Sequence, residues 1–473
     1  MKIQKAPNES KNNFENKYIF NIILSKNKIP INLTGLTISL LILKLGSEIV
    51  IDSAHIVITD AIHGKITITL SDLNILSIGN CKTQILLINN KNKKIKFPEF
   101  TINSIINNTI KQKDVISQVD VSHHCEHNHI KNVQRKVVDT STNNTIQFAF
   151  VTDLHADDYK NYYDQIVKHL NAVINIESYG ILDFIAIGGD IHSGVYKNKG
   201  NPKSKLSEIA KILRVSKTPV FVLHGNHDDN SYTVVSPKNP VLSNLITKKE
   251  WFNRMIKPFM NGEIHDSKDN MSLYYYKDFY DKKIRVICLD STDYPIIKNK
   301  DNTVKWCGQN FYGFGSRQVL WLQSEALNTL DKNDWSVIIL SHMATRDKDL
   351  MYNGSNPYNG TLVEGVLKSF MNGDEFSATT SGDYGLSVNA NFKSQGPRKI
   401  LCYVYGHTHT DNINKPVDLG WNFINTASCY SSGIKERTLG TNKEDLWDVI
   451  VADKITGVID CFRYGYGVDR HIL

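Results

Sequence analysis

The chain lacks any apolar run long enough to cross a bilayer. Its longest, Leu36 to Leu45 and Ile181 to Ile187, fall well short of the roughly 20 residues a spanning helix needs, so no span is expected. The start, Met1-Lys2-Ile3-Gln4-Lys5, has no apolar core of a secretory signal, and synthesis in a cytoplasm without a signal peptide is expected. The seven cysteines, scattered from Cys81 to Cys461, form no CxxC pair and no regular framework; they read as reduced, buried small hydrophobes. There is little excess charge: 55 Lys and Arg against 48 Asp and Glu give +7. That balance suits a polyanionic partner, whereas a nucleic-acid binder more often concentrates its charge in one stripe.

What is present is an ordinary globular composition. Hydrophobic residues at 41% and charged residues at 22% argue against a disordered, collagenous or membrane-embedded chain. At 473 residues the chain exceeds what one core supports, and two or three domains are expected.

Two textures follow one another. From Lys17 to about Ile106 short runs rich in Ile, Leu and Thr (Tyr18 to Leu24, Leu36 to Leu43, Ile56 to Ile58, Lys65 to Leu70, Gln84 to Ile88, Ile95 to Ile102) alternate with turn residues such as His63-Gly64 and Gly79-Asn80. The alternation in Lys65-Ile66-Thr67-Ile68-Thr69-Leu70 marks a strand with one wet face, and an antiparallel β-sandwich is expected over 1–110. Polar residues dominate 111–144, which reads as a linker. From Thr145 onward, apolar strands such as Ile146 to Val151 and Leu182 to Ile187 alternate with helical spacing, as in Tyr162, Ile166, Leu170 and Val173. The layered α/β class is indicated for 145–473.

The chemistry sits at the ends of those strands. Five apolar strands lead into Asp153-Leu154-His155, Gly188-Gly189-Asp190, Gly225-Asn226-His227-Asp228, Ser341-His342 and Gly406-His407-Thr408-His409. Ligands of an open α/β sheet gather at the C-terminal edge of its strands, so all five blocks can converge. Two divalent cations about 3.5–4 Å apart can clamp the attacking and leaving oxygens of an in-line displacement at phosphorus. Such a pair needs one shared carboxylate, with imidazoles and an amide oxygen limiting the negative charge shown to an anionic substrate. Asp190 is the natural bridge.

This ordered set resembles the calcineurin-like metallophosphoesterase superfamily, whose pattern is DxH, GD, GNH followed by Asp or Glu, a later lone His, and GHxH; the likeness covers roughly Ile146 to Leu473. It implies a four-layer α/β/β/α domain holding two divalent ions (Mn, Zn or Fe). One ion falls to Asp153, His155 and His409, the other to Asn226, His342 and His407, with Asp190 between. A hydroxide bridging the ions is the implied nucleophile. His227 is implied at the leaving group, oriented by Asp228. Val286 to Ser291 resembles a further core strand of the family, and Ser316 to Leu322 a helix carrying Q-x-x-W-L.

Neighbouring histidines carry two readings each: His192 as a substrate contact or a hydrogen-bonded structural residue, His224 as catalytic or buried. Residues 343–399, rich in Gly, Asn, Ser and Tyr, form an insertion expected to shape the substrate pocket. The run His123-His124-Cys125-Glu126-His127-Asn128-His129 is either a solvated linker or a transition-metal site completed by several chains around an axis.

In the N-terminal part, Phe20 to Leu24, Pro30-Ile31-Asn32-Leu33-Thr34-Gly35-Leu36-Thr37, Ile58-Thr59-Asp60 with Gly64-Lys65-Ile66, and Phe100 to Ile106 resemble the N-terminal domain of phage baseplate upper proteins. That likeness implies attachment to tail proteins, a place in the virion and a homo-oligomer there. Taken together, the expectation is a tail-borne phosphodiesterase acting on host surface polymers such as teichoic acid. A nuclease, a nucleotide phosphodiesterase or phosphatase, and a structural tail adaptor with a vestigial site are the alternatives.

Overall fold

A computed structural model describes the backbone of strands between Lys17 and Asn103, and residues 124–473 apart from 158–161, 178–179, 234–239, 347–356, 432–435, 438–440 and 442, with side chains from His129 onward. The chain divides into two compact units, Met1–Asn128 and His129–Leu473.

In the first unit the strands pair antiparallel. Lys65–Ser71, the run with the clearest alternation, lies between Lys17–Ile23 and Ile56–Asp60. Thr37–Lys44 lies between Ser47–Ile51 and Asn80–Ile88, and Phe100–Asn103 pairs on the far side of the latter.

The second unit is a mixed α/β fold built on two sheets. The helix α1 (His124–Thr140) enters it from His129, and β1 (Thr145–Val151), α2 (Tyr162–Glu177), β2 (Phe184–Ile187), α3 (Gly200–Leu213) and β3 (Val220–Val222) follow. Then come β4 (Ile264–His265), β5 (Tyr275–Phe279), β6 (Ile284–Leu289), α4 (Ser316–Trp321), β7 (Ser336–Ser341), α5 (Gly360–Asn372), and the hairpin of β8 (Glu375–Thr379) and β9 (Ser387–Asn391). The chain closes with β10 (Lys399–Tyr405), β11 (Asn412–Asn414), β12 (Asn422–Asn425), β13 (Leu446–Asp453), β14 (Ile459–Gly465) and β15 (Arg470–Ile472).

The first sheet runs β3-β2-β1-β13-β14-β15 and the second β4-β5-β6-β7-β10-β12-β11. Within them β1, β2 and β3 are parallel neighbours, as are β6, β7, β10 and β12. The period-2 alternation of a strand sends successive side chains to opposite faces, and the second sheet uses both. Val286, Cys288, Ile338, Leu340, Cys402 and Val404 face a core shared with Phe148 and Phe150 of the first sheet and with α2 and α3. Ile287, Leu289, Val337, Ile339, Tyr403 and Tyr405 face a second core with Trp321, Val363, Val366 and Phe370 from the α4 and α5 region. Burial on both faces is why these strands read as unbroken apolar runs.

The stretch 111–144 reads as a polar linker, yet His124–Thr140 is helical and its Ile130, Val133 and Val137 are buried in the first core. Their spacing of three and four residues makes a narrow stripe that the surrounding polar residues conceal. Among the described residues no helix is long and apolar enough to cross a membrane.

Candidate metal centre

Each expected block follows directly on a strand: Asp153 and His155 on β1, Asp190 on β2, Asn226 to Asp228 on β3, His342 on β7, His407 and His409 on β10. The turns are laced together through their backbones. The Asp153 amide donates to the Gly189 carbonyl (3.0 Å), the His155 amide to that of Asp190 (3.0 Å), and the Gly406 amide to that of His342 (3.0 Å). Asp153, His155, Asp190, His407 and His409 have φ of 54°, 44°, 53°, 69° and 58°, the left-handed region that residues with a Cβ avoid. Such strain persists where surrounding structure over-determines it, and it clusters at functional sites. The motif glycines answer to packing: a Cβ on Gly225 would lie 2.2 Å from Asp190 Oδ1, and one on Gly406 2.1 Å from Thr152 Oγ1.

The side chains converge in overlapping groups that could hold metal ions. His155 Nε2 is 3.2 Å from His409 Nε2, which is 3.3 Å from Asp153 Oδ1. Asn226 Oδ1 lies 3.0 Å from both His342 Nε2 and His407 Nδ1. Asp190 Oδ2 stands between the groups, 3.3 Å from His342 Nε2, 3.9 Å from His227 Nε2 and 4.0 Å from His155 Nε2. Its Oδ1 accepts the His227 amide (2.8 Å).

The donor atoms left over are those a cation needs. Asp153 Oδ2 accepts from Thr152 Oγ1 (2.7 Å) and the His407 amide (2.9 Å), while its buried Oδ1 has no hydrogen-bond donor. Nδ1 of His342 donates to the Gly188 carbonyl (2.7 Å), so the lone pair falls on Nε2, as in metal-ligating histidines whose other nitrogen is hydrogen-bonded. Burial opposes charge on Asp190, yet the imidazoles of His342 and His227 hold it well below the usual carboxylate range. Burial, then the neighbouring His227, brings His155 down to about 3, and burial with His342 does the same for His407. Burial also opposes charge on His342, but Asp190 pushes it up to about 10. Where no cation balances the buried carboxylates, a proton does; the site is made for positive charge.

Residues 146–411, more than half of the chain, match the family model described as calcineurin-like phosphoesterase. The chain belongs to that family. The phosphoesterase is accordingly a hydrolase, and its residues 10–123 match a second model, the BppU N-terminal domain of baseplate upper protein. Among solved structures it is similar to a dimetal phosphatase from Danio rerio (15% identical, TM-score 0.48, covering 69% of this chain and 98% of that one). It is also similar to the purple acid phosphatase PPD1 from yellow lupin, Lupinus luteus (10%, TM-score 0.38, 97% and 72%), and to a putative 5'-nucleotidase from Staphylococcus aureus (13%, TM-score 0.36, 65% and 50%). No curated protein matches the chain.

One expected pairing in the phosphoesterase is replaced by another. Asp228 does not orient His227: its fully buried carboxylate accepts from the backbone amides of Asp190 (3.0 Å), Ile191 (2.8 Å) and Gly225 (2.9 Å). It ties the second ligand turn to the third. His227 is held instead by the Ser193 carbonyl, 2.7 Å from Nδ1, and by the ring of Tyr232 stacked at 3.8 Å and 11°. Tyr232, absent from the sequence expectation, also takes the Asn226 amide nitrogen on its hydroxyl (2.6 Å), which turns the Asn226 oxygen toward His342 and His407. His192 is fully buried with Nδ1 accepting from the Gly194 amide (3.0 Å), and His224 is buried 2.6 Å from Thr292 Oγ1. Gln318, of the Q-x-x-W-L helix, accepts from the Asp290 amide and donates to its carbonyl (2.9 Å each). Of the 343–399 insertion, 347–356 lie outside the described residues; α5 buries Val363, Val366 and Phe370 in the second core, and Val388 and Ala390 of β9 join them. Within the His123–His129 run only His129 has a described side chain; its Nε2 accepts from the Gly465 amide (2.9 Å).

Proposed function

We propose that the chain is a phosphodiesterase of a phage tail baseplate, its N-terminal β-sandwich attaching to tail proteins and its C-terminal domain cutting phosphodiester polymers of the host surface such as teichoic acid. The observation that carries the hydrolytic half is the convergence on Asp190: one carboxylate oxygen faces His342, His227 and His155 within 4.0 Å. Asp153, His155 and His409 would hold one divalent ion (Mn, Zn or Fe) and Asn226, His342 and His407 the other, with Asp190 available to both. When bound, such a pair supplies Lewis-acid activation of water and of the phosphoryl oxygens.

The chain's own residues do the rest. Asp153 and Asp190 fix the spacing, and the neutral Asn226 oxygen keeps the site from repelling a phosphate. His227, with Nδ1–H on the Ser193 carbonyl, presents Nε2, which in the imidazolium form carries the proton given to the departing alkoxide and leaves the ring neutral. Thr152, Ser193 and Tyr232 hydrogen-bond the ligand side chains; these three partners are uncharged, which suits a singly charged diester better than a phosphomonoester. The baseplate match supports the virion setting and, with it, a polymer on the host surface as substrate and several copies assembled together.

The test is to offer the metal-reconstituted chain purified teichoic acid, nucleic acid, a phosphomonoester and a small aryl phosphodiester in parallel. Release from teichoic acid and the diester is expected. Cleavage of nucleic acid alone overturns the cell-wall substrate, and cleavage of the monoester alone overturns the diester preference.

A further inference from the structure

Away from the Asp190 centre, α2, the segment after β12 and the residue before β13 bring together three side chains that can ligate metal: His169, Cys429 and Asp445. All are buried, at 1%, 0% and 7% exposure. His169 Nδ1 is 3.2 Å from Cys429 Sγ and 3.4 Å from Asp445 Oδ1, and the sulfur is 3.8 Å from that oxygen. We propose that this triangle is a further, structural metal site, selective for a thiophilic divalent ion such as zinc.

The geometry argues for it first. Bonds of about 2.0–2.1 Å to nitrogen and oxygen and about 2.3 Å to sulfur, at tetrahedral angles, set ligand atoms on the order of 3.3–3.6 Å apart. The three observed edges lie within a few tenths of an ångström of those values, so the atoms outline one face of a tetrahedron.

The surroundings argue for it as well. Metal-bound imidazoles turn their remote nitrogen to a carboxylate or carbonyl, and Glu444 Oε1 stands 3.3 Å from His169 Nε2. Asp445 is aimed by its neighbours: Oδ1 accepts the Leu446 amide (2.8 Å) and Oδ2 the Trp447 indole (3.2 Å). The charges also meet their opposites: the Cys429 thiolate and the carboxylates of Asp445 and Glu444 face the divalent ion, the buried Arg437 guanidinium that interacts with all three, and Lys168, 3.6 Å from Glu444. A protonated His169 alone would satisfy the two carboxylates, but it gives no reason for a thiol in the same triangle.

The ion would tie Cys429 and Asp445 to α2, and because the unfolded chain has no preformed site its binding free energy would add to that of folding. The pinned segment supports the catalytic edge: the Cys429 amide donates to the Thr152 carbonyl (2.8 Å) and Ser428 Oγ to that of Asp153 (2.8 Å). The site is thus a clip behind the turn that presents Asp153 and His155.

Cobalt(II) tests this, because a thiolate bound to cobalt absorbs by charge transfer in the near ultraviolet and no member of the Asp190 set contains sulfur. The metal-free full-length chain is titrated with cobalt(II), alongside Cys429→Ser and His169→Gln, each checked for native circular dichroism and for bound metal by elemental analysis. The expected result is the thiolate band in the wild type, its loss in both variants, and one ion fewer per chain in each. No band in the wild type overturns the proposal whether or not the variants fold, and a band of undiminished intensity in Cys429→Ser, as Cys125 alone would give, overturns it too. A wild-type chain that shows the band but binds no further ion contradicts the Asp190 centre and leaves the clip standing.

Discussion

The Nδ1 of His227 lies 2.7 Å from the carbonyl oxygen of Ser193. A backbone carbonyl can only accept, so Nδ1 carries a proton and Nε2, 3.9 Å from Asp190 Oδ2, is the nitrogen available for the proposed proton transfer. His227→Ala is therefore expected to lower turnover by about 10²–10⁴, the usual worth of a positioned acid, while leaving bound metal unchanged. Steady-state kinetics paired with elemental analysis checks this; a proportional loss of metal would make His227 a ligand.

Asp228 has the opposite signature. Its carboxylate holds three backbone amides across two ligand turns, and removing it leaves buried donors unpaired, each costing about 1–3 kcal/mol. Asp228→Ala is expected to lower the melting temperature and weaken metal affinity by about 10–100-fold, as loss of a ligand's supporting partner does. Unchanged metal affinity with an altered pH profile would return Asp228 to the role of orienting His227.

These two residues show where the sequence is readable. The residues that meet at Asp190 could be picked out because each stands just beyond an apolar strand, and parallel strands deliver their ends to one edge. The partner of Asp228 could not: adjacency to His227 says nothing of direction, and the tight turn, with Asp190 at positive φ, sends the carboxylate back to the backbone. Tyr232 follows its motif without a pattern of its own. Helix α1 did leave a signal in Ile130, Val133 and Val137, outvoted by polar neighbours. The cluster of His169, Cys429 and Asp445 joins residues far apart in the sequence and exists only once α2 packs on the first sheet.

Tyr232→Phe removes the hydroxyl that accepts from the Asn226 amide and keeps the ring stacked on His227. The Asn226 amide is then free to turn its nitrogen toward His342 and His407. Metal affinity is expected to fall by about 10–100-fold with stability within about 1 kcal/mol of wild type. Isothermal titration with manganese decides it; unaltered affinity removes Tyr232 from the account.

Asp448 governs an acid limb of stability. It is fully buried against Arg463 (2.8 Å) and Arg470; burial opposes its charge, but Arg470 and Arg463 outweigh it and hold the carboxyl below its ordinary range. A depressed folded pKa contributes stability that is present above the unfolded value of about 3.9 and is lost as pH falls through the folded value. Thermal melts should hold steady on this account from pH 7 to 5 and decline below about 4. Asp448→Asn should lower stability by about 3–5 kcal/mol at neutral pH, because two guanidiniums lose a buried partner, and should flatten the acid decline. An Asn variant with the wild-type pH dependence would contradict the assignment.

The account rests on a metal pair at Asp190, and anomalous diffraction from crystals of the manganese-reconstituted chain tests it most directly. Two anomalous peaks are expected about 3.5–4 Å apart, on either side of Asp190 Oδ2, one beside Asp153, His155 and His409 and the other beside Asn226, His342 and His407. A single peak, or none at these residues in crystals that bind manganese elsewhere, would contradict it.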